Sequence, residues 1–405
     1  MSGPVLELTS DPENINNKQC KFEDQIYTIK NYDRNMVSDA FNELFAYKSV
    51  IYDETGKLLC VAPPKSIGYN QFISSYECDS NIEISEIIEG TMINLFYHND
   101  KWVISTRGAI GGSYFYFRNQ YFVDIHSSAR QISFYDMFME ALQGHDNQVL
   151  NDNILINNMD KTYCYSFVMQ HPDNHIVIPV SWPQLYLVGV YKVDNINNNK
   201  FTSINRECYE CFDCFKNSVI RFPKLFKTND SFQSNLDSYS GLQEPYTNVG
   251  IMMYNKQSGV RCAVKTHSYL KLKELRGNNP NLQFQYLSLR RMDKVTEFLS
   301  YFPRYKKLFY KFYVQYKDFM FNVHRSYIAR YITKKEKFIS NKYMPHIFRI
   351  HQEMFVPHML KGEKTTIKLD DIYNYFKERS IAEVLYALNY DARELHDKQI
   401  NIKHI

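Results

Sequence analysis

Residues 87–97 read IIEGTMINLFY, and residues 102–108 read WVISTRG. Both runs show the period of two and the wealth of β-branched and aromatic residues that are typical of half-buried strands. The residues His98, Asn99 and Asp100 between them favour a turn. The two runs therefore predict two strands with a turn between them, and they place this part of the chain in a β-rich domain.

Similar runs occur on both sides, with KSVIYD at 48–53 and HIVIPV at 175–180. Short helices are expected between such runs, so residues 1–285 are predicted to form an α+β domain. Further on, the apolar period becomes that of a helix, and Gly and Pro become rare. We therefore predict a second, α-helical domain over residues 286–405 that is basic and rich in aromatic residues.

The composition excludes two broad classes of protein. Of the 405 residues, 44% are hydrophobic and 23% are charged, and the mean hydropathy is −0.45. Neither a disordered polymer nor a membrane bundle has such values. The uncharged stretch 176–191 contains Pro179 and Pro183 and is shorter than the roughly 18 residues of a membrane span. The first residues lack the basic flank and apolar run of a secretion signal, so we expect a reducing, cytosolic setting.

In that setting, the eight cysteines indicate thiols and not a disulfide framework. Residues 194–240 are interpreted as an insertion or a long irregular segment between core strands. Within them, Cys208, Cys211 and Cys214 recur at intervals of three. Three thiolates suggest a metal site, but no fourth Cys or His follows at the usual spacing. We therefore predict no metal and interpret the three cysteines as one face of a helical turn.

Positive charge is concentrated in the predicted helical domain. Residues 290–349 hold fifteen Lys or Arg and four Asp or Glu, an excess of 11, so the rest of the chain carries −7 within a net charge of +4. Between residues 304 and 317, cations alternate with Tyr and Phe, an arrangement that suits a polyanion because cations neutralise phosphates and bases stack on rings. The candidate nucleic-acid contacts are Arg304, Lys306, Lys307, Lys311 and Lys317. A solvated basic helix face and a docking site for a protein partner are the alternatives.

The helical period divides this tract into a basic and an aromatic stripe. Arg304, Lys307 and Lys311 fall on the basic stripe. The aromatic stripe holds Phe309, Phe312, Tyr313 and Tyr316. Aromatic residues make up 16% of the chain, and A/T-rich codons explain part of that excess without any stacking surface.

The order and spacing of four segments allow a comparison with a known family. The segments are residues 87–97, residues 102–108, YSFVMQHPDNHIVIP at 165–179, and VGIMMY with RCAVKTHSY between 249 and 269. In order, spacing and strand context they resemble the nucleotidyltransferase domain of the bacteriophage-type RNA ligases, within the superfamily of covalent nucleotidyl ligases and capping enzymes. Residues 48–65 are similar to the strand, turn and strand that precede motif I in that family. The resemblance covers residues 40–275 and implies two antiparallel sheets with flanking helices.

The resemblance also implies a chemistry. In that family a motif I lysine attacks the α-phosphate of ATP and holds AMP as a phosphoramidate. Carboxylates of motifs III and IV contact the ribose or a metal, and motif V lysines neutralise the phosphate. In this chain the nucleophile position is Ile87, and the other altered positions are Ser166, Val249 and Ala263. The reactive groups are therefore missing at four separate positions.

The residues that keep the family's pattern supply shape and charge. They form a predicted vestigial nucleotide pocket of Glu89, Gly90, Arg107, Phe167, Gly250 and Lys265. Phe167 is the candidate for stacking on adenine, and Lys265 is the candidate for a phosphate contact. Ordinary structural roles are the alternatives, namely tight turns for the glycines, a surface ion pair for Arg107 and core packing for Phe167.

We interpret the chain as a pseudoenzyme of ligase descent, without a cofactor, that binds nucleic acid, RNA in preference to DNA, or serves as a viral assembly scaffold. The alternative is an active ATP-dependent RNA ligase with Lys265 as nucleophile, which alone requires ATP and magnesium. Residues 272–291 resemble ligase-like proteins of large cytoplasmic DNA viruses, in which a helical domain follows a degenerate motif V. That resemblance implies a viral source and a location in the infected-cell cytoplasm or the virion.

Overall fold

The computed structural model of the chain describes residues 2–8, 14–33, 43–76, 80–114, 132–143, 149–174, 176–194, 199–226, 245–277, 279–363 and 366–395. Contacts divide the described residues into two units. The first unit extends to Arg276, and the second begins at Gly277. The boundary predicted from the sequence lies at residue 285.

An eight-stranded sheet forms the centre of the first unit. Seven strands, numbered along the chain, follow in the order β1 (Ser2–Glu7), β12 (Lys200–Ile204), β11 (Gln184–Val193), β10 (Tyr163–Gln170), β7 (Thr91–His98), β8 (Lys101–Thr106) and β9 (Ala109–Ile110). The eighth, β13 (Ile220–Arg221), pairs with β11 in the parallel sense, and the other pairs are antiparallel. The turn between β7 and β8 holds Asn99 and Asp100 at positive φ, as its composition predicted.

Two four-stranded antiparallel sheets complete the strands of this unit. One has the order β14 (Leu225–Phe226), β6 (Ile82–Glu86), β15 (Gly250–Asn255) and β16 (Arg261–Lys265), and the other has the order β2 (Ile15–Phe22), β3 (Gln25–Tyr32), β4 (Val50–Tyr52) and β5 (Leu58–Val61). The helices are α1 (Tyr69–Ser75), α2 (Phe134–Ala141), α3 (Ile154–Asn157), α4 (Arg206–Tyr209) and α5 (His267–Arg276). Single 3-10 turns occur at Glu43–Ala46, Leu150–Asp152, Pro172–Asn174 and Asp213–Phe215.

The two faces of the large sheet bury different hydrophobic clusters. Successive side chains of a strand point to opposite faces. Tyr165, Phe167 and Met169 of β10 accordingly enter the cluster that contains Phe138 of α2. Cys164 enters the other cluster, which includes residues of both small sheets. The small sheets therefore pack on the face of the large sheet that α2 leaves open.

The second unit is helical over its described residues. Its helices are α6 (Leu282–Arg291), α7 (Val295–Tyr301), α8 (Lys306–Tyr327), α9 (Met344–Ile350), α10 (Val356–Leu360), α11 (Leu369–Glu378) and α12 (Ile381–Leu388). A 3-10 turn occurs at Pro303–Tyr305, and π-helical turns occur at Ile328–Ile332 and His351–Phe355. The long helix α8 buries one aromatic face, where the Phe309 ring stacks on Phe298 at a centroid distance of 5.1 Å. None of the described helices has both the length and the apolar character for crossing a membrane.

The predicted α+β class with antiparallel sheets and a following helical region is confirmed, although the strands of the described residues form three sheets and not two. Two local predictions were wrong. Residues 176–180 form no strand, because the N–H groups of Val177 and Ile178 donate to the Glu89 carboxylate and Pro179 has no N–H. Residues 194–240 are not entirely irregular, because they contribute β12 to the large sheet, where it pairs with both β1 and β11.

Candidate functional site

A cavity of about 280 Å³ lies in the first unit between the large sheet and the small sheet of β6, β15 and β16. The charged and hydroxyl-bearing residues that line it are Lys48, Ser66, Glu83, Ser85, Glu86, Tyr191, Ser203, Arg206, Tyr209, Tyr254, Arg261 and Lys265. Of the positions predicted for the site, Ile87, Ala263 and Lys265 line this cavity. We refer to it as the intersheet cavity.

Ile87 lies in the link between β6 and β7, at the wall of the intersheet cavity. Its N–H donates to the carbonyl oxygen of Gly250 over 2.9 Å, and Gly250 is paired with Lys265 across β15 and β16. The structure thus brings the positions of motifs I, IV and V together. The side chain at the position of the nucleophile is aliphatic and half-buried, and it offers no atom for attack on phosphorus.

Strand β16 presents Arg261, Ala263 and Lys265 to the cavity at a spacing of two. Burial, and secondly the charge of Lys273, lower the pKa of the Lys265 ammonium, whereas Glu89 opposes the shift. A lowered pKa increases the fraction of neutral amine, which is the form with a free lone pair. Lys265 therefore borders the cavity with an amine that loses its proton more readily than that of an exposed lysine.

Sequence reasoning missed three basic residues of the cavity, Lys48, Arg206 and Arg261. The Arg206 guanidinium donates to a carboxylate and to a backbone carbonyl of its own unit. Nη1 of Arg261 is buried, and no described residue accepts a hydrogen bond from it. Arg261 could have been predicted from the sequence, because it lies two residues before Ala263 and therefore on the same face of the strand. Lys48 opens the segment similar to the family's strands before motif I, but nothing in the sequence pointed to Arg206.

Two carboxylates of β6, those of Glu83 and Glu86, also line the cavity. Burial raises the pKa of Glu83, and the charge of Arg206 opposes this shift. Glu86 accepts a 2.7 Å hydrogen bond from the Lys224 backbone. The acidic positions of the family's motifs III and IV hold Ser166, whose hydroxyl donates to the Asn94 amide oxygen, and the buried Val249. The carboxylates of the cavity therefore do not come from those motifs.

Glu89 was predicted for the nucleotide pocket, but its carboxylate holds segments of the protein together. Its side chain is only 8% exposed. Its carboxylate accepts hydrogen bonds from the N–H groups of Val177 and Ile178 at 3.0 and 2.7 Å and from the Tyr269 hydroxyl at 2.7 Å. It thereby joins the link after β6 to the loop after β10 and to α5. Glu89 does not line the intersheet cavity, although its charge acts on Lys265.

Gly90 and Gly250 are positions where only a hydrogen atom fits. A Cβ on Gly90 would lie 2.4 Å from the Met169 carbonyl oxygen. A Cβ on Gly250, whose φ is +135°, would lie 2.0 Å from the Val264 carbonyl oxygen. Their retention is therefore explained by close strand packing, without reference to a ligand.

Phe167 was predicted as an adenine-stacking residue, and the structure places it elsewhere. Its ring is fully buried in the cluster on the α2 side, 5.9 Å from the Phe138 ring in an edge-on arrangement. Because β10 side chains alternate, its neighbour Val168 lines the intersheet cavity instead. Phe167 therefore packs in the hydrophobic core, which was the alternative to adenine stacking.

Arg107 also lies outside the cavity lining. Its guanidinium lies 4.7 Å from the centre of the Tyr32 ring and donates to the carbonyls of Tyr32 and Lys48. A ring and two backbone oxygens are thus among its partners. Through the Lys48 carbonyl it supports a residue that does line the cavity.

The three closely spaced cysteines lie around α4 and the 3-10 turn that follows it. Cys211 is exposed, whereas Cys208 and Cys214 are half-buried. No described cysteine forms a disulfide, and no cluster of metal-binding side chains occurs among the described residues.

The predicted basic tract lies in the second unit. Arg304 belongs to the turn before α8, where its guanidinium lies over the Tyr305 ring and donates to its hydroxyl at 2.8 Å. The four lysines of the tract are exposed on α8: Lys306, Lys307, Lys311 and Lys317. Phe309, Phe312 and Tyr316 of the aromatic stripe are buried.

Tyr313 was wrongly assigned to the aromatic stripe. It is 40% exposed, and its ring centre lies 6.3 Å from that of Tyr310, which is 66% exposed. The reason is geometric, because Tyr313 follows Tyr310 by three residues and precedes Lys317 by four, and such residues share a helix face. One face of α8 therefore presents both tyrosine rings and ammonium groups. We refer to Lys306, Tyr310, Tyr313 and Lys317 as the exposed α8 face.

Sequence comparison finds relatives with viral names. The chain is 26% identical over 113 residues to an RNA ligase of Rhodothermus phage RM378, which covers 28% of this chain and 24% of that protein. It is 25% identical over 283 residues to an immediate-early protein ICP-46 homolog of Invertebrate iridescent virus 6, and this alignment covers 64% of this chain and 55% of that protein. The chain thus spans about half, or less, of the length of these relatives. No protein-family model matches it.

Comparison with solved structures returns ligases. A putative ATP-dependent DNA ligase from Aquifex aeolicus is aligned over 87% of this chain and 97% of its own, with 11% identity and a TM-score of 0.42. A Naegleria gruberi RNA ligase with PPi is aligned over 59% and 63%, with 9% identity and a TM-score of 0.36. The resemblance predicted from the motifs is confirmed, because this chain is similar in sequence to a phage RNA ligase, and it is also similar to proteins of iridescent viruses.

Proposed function

We propose that this chain is a catalytically degenerate RNA-ligase-like protein that binds nucleic acid, RNA in preference to DNA. The observation that carries the proposal is Ile87 at the wall of the intersheet cavity, where the family has its nucleophile. An isoleucine cannot form a bond to phosphorus, so the covalent nucleotidyl step lacks its attacking atom. The same step also lacks two carboxylates and a cation, because their positions hold Ser166, Val249 and Ala263. No cofactor is part of this proposal.

The nucleic-acid contact is assigned to the exposed α8 face and the adjacent basic residues. Lysines at exposed positions neutralise phosphates, and the rings of Tyr310 and Tyr313 are accessible to bases. A merely solvated basic face does not require exposed tyrosines between its lysines. The combination supports binding of a strand whose bases are unpaired.

The first experiment tests for catalysis. The full chain is incubated with α-labelled ATP or GTP and magnesium or manganese, and label that survives denaturation is measured beside that of an active RNA ligase. We expect no labelled band from this chain. A stoichiometric band would contradict the pseudoenzyme proposal.

The second candidate is an active ATP-dependent RNA ligase, and the position and lowered pKa of Lys265 favour it. In that reaction Nζ of Lys265 loses a proton and bonds to the α-phosphorus, while the bond to the pyrophosphate oxygen breaks. Magnesium would stabilise the charge on the pyrophosphate. Label on the wild-type chain that disappears in Lys265→Ala and persists in Lys271→Ala, a change at an exposed lysine of α5, would establish this candidate.

We assign the protein to the cytoplasm of infected cells or to the virion, and its phage and iridescent-virus relatives support this proposal. A viral protein partner, with the chain as an assembly scaffold, is the competing role. Salt separates the two roles, because binding through several phosphates weakens log-linearly with salt whereas an interface with an apolar core persists. We expect the steep dependence for RNA, and a flat one would favour the scaffold role.

A further inference from the structure

The second unit contains a cavity of its own, of about 260 Å³, which we call the helical pocket. It is formed by the end of α6, by α8, by α11 and by the start of α12. Its polar and aromatic lining includes Arg290, Arg291, Asp293, Tyr316, Tyr373 and Lys377. Tyr316 belongs to the buried side of α8, so this pocket is separate from the exposed α8 face.

The lining carries an excess of positive charge. Three cations, Arg290, Arg291 and Lys377, stand against a single carboxylate, Asp293. Among the residues that the structure describes, no carboxylate lies within salt-bridge distance of any of the three cations. The lining therefore keeps an excess of two positive charges, and an anion bound in the pocket compensates it.

Aromatic rings form the other wall of the pocket. The rings of Tyr316 and Tyr373 are stacked, with centres 6.0 Å apart and an angle of 28°. The Arg290 guanidinium lies 4.4 Å from the centre of the Tyr316 ring. A cation held over a ring is restrained in one orientation, so it loses little freedom when it binds an anion. The pocket therefore combines a restrained guanidinium, two further cations and an accessible ring surface.

We infer that the helical pocket binds a nucleoside 5′-monophosphate group, either as a free nucleotide or as the phosphorylated end of a strand. The phosphate is placed against Arg290, Arg291 and Lys377, because its oxygens accept from guanidinium and ammonium groups. Arg291 keeps donors beyond the one that it gives to the Arg379 carbonyl. The base is placed against Tyr373, which is half-buried and borders the same cavity. The volume, near the lower end of the range for small-ligand sites, suits one nucleotide and excludes a duplex.

The test is calorimetric titration of the full chain with AMP, adenosine and inorganic phosphate. We expect AMP to bind about tenfold or more tightly than either fragment, because only AMP uses both walls. Lys377→Glu is expected to weaken AMP binding by about tenfold, and Arg291→Gln by a similar factor. The matched control is Lys335→Glu, which makes the same charge change at an exposed residue outside the pocket and is expected to leave affinity unchanged. Thermal unfolding of each variant checks the fold.

A pair of oligonucleotides identical except for a 5′-phosphate or a 5′-hydroxyl identifies the source of the ligand. A preference for the phosphorylated strand that disappears in Lys377→Glu assigns the pocket to strand ends, whereas AMP binding without that preference assigns it to free nucleotides. No AMP binding at millimolar concentration would overturn the inference. So would AMP binding that Lys377→Glu leaves unchanged, because the nucleotide would then lie elsewhere. Neither of these results bears on RNA binding by the exposed α8 face.

Discussion

The backbone N–H of Ile87 donates a 2.9 Å hydrogen bond to the carbonyl oxygen of Gly250. This bond joins the link after β6 to the first residue of β15, although the two lie far apart in the chain. Because Gly250 also pairs with Lys265, the aliphatic side chain of Ile87 and the half-buried side chain of Lys265 border the same cavity. The backbone thus brings Ile87 and Lys265 to one cavity through Gly250, and the Ile87 side chain offers no nucleophilic atom there.

Replacing Lys307 and Lys311 together by Ala is expected to weaken RNA binding about equally for all sequences. Each lost phosphate contact lowers the slope of log affinity against log salt by about one unit. The fold is expected to be unchanged, since both residues are exposed. Salt titrations of the variant and of Lys334→Ala with Lys335→Ala, a matched charge change outside the tract, provide the measurement. Equal slopes for wild-type and the α8 variant would contradict the assignment.

Tyr310→Ala is expected to weaken binding of single-stranded RNA by about tenfold, because stacking of one base on a ring contributes about 1–3 kcal/mol. Binding of a duplex is expected to change little, since its bases are already stacked. Tyr386→Ala is the control, because Tyr386 is also 66% exposed and lies on another helix of the same unit. An equal loss for single strand and duplex would show that the ring does not stack on bases.

Gly250→Ala is expected to lower the free energy of unfolding by more than about 2 kcal/mol, because the new Cβ meets the Val264 carbonyl at 2.0 Å and φ is +135°. Gly56→Ala is the matched control. Its φ is +81°, but nothing lies within 4 Å of the new Cβ, so a loss of only about 1 kcal/mol is expected. Urea unfolding measures both values, and equal losses would show that backbone strain alone decides the cost.

Glu89→Gln is expected to lower the free energy of unfolding by about 2 kcal/mol. The amide turns one of its ends into a donor, whereas all three partners of Glu89 are donors. Tyr269→Phe removes one of these donors and is expected to cost about 1 kcal/mol. If urea unfolding found Glu89→Gln as stable as wild-type, Glu89 would not have the structural role described above.

The pH dependence of stability is expected to involve His346. Burial, together with the charges of Arg349 and Arg379, lowers the pKa of His346 from 6.5 to about 4, against the opposing charge of Glu383. The unfolded chain therefore takes up the proton first as pH falls, and the stability present above pH 6.5 is lost progressively down to about pH 4. The loss amounts to about 3 kcal/mol.

This dependence is checked by urea unfolding between pH 7.5 and about 4. His346→Gln is expected to remove the part of the loss that belongs to this residue. Lys335→Gln, at an exposed residue of the same unit, is expected to leave the wild-type dependence unchanged. Parallel curves for wild-type and His346→Gln would exclude His346 as the titrating group.

Local sequence patterns were sufficient for the strands and helices that carry a regular period. The runs beginning at Thr91 and Lys101 became β7 and β8, and the helical period of the basic tract became α8. The identity of Ile87 at the nucleophile position was likewise a property of the sequence, because motif order does not depend on packing. Residues 176–180 were misjudged, since a distant carboxylate satisfied their N–H groups in place of a neighbouring strand.

The composition of the cavities was decided only by tertiary structure. The period of two shows that Phe167 and Val168 point in opposite directions, but it does not show which of them faces the second sheet. The convergence of Arg291 and Lys377 in the helical pocket depends on the packing of α6 against α11 and α12, which local propensity does not specify. Sequence therefore determined the regular elements and the residue types that they carry, whereas the side chains that meet across elements were set by which faces could be buried together.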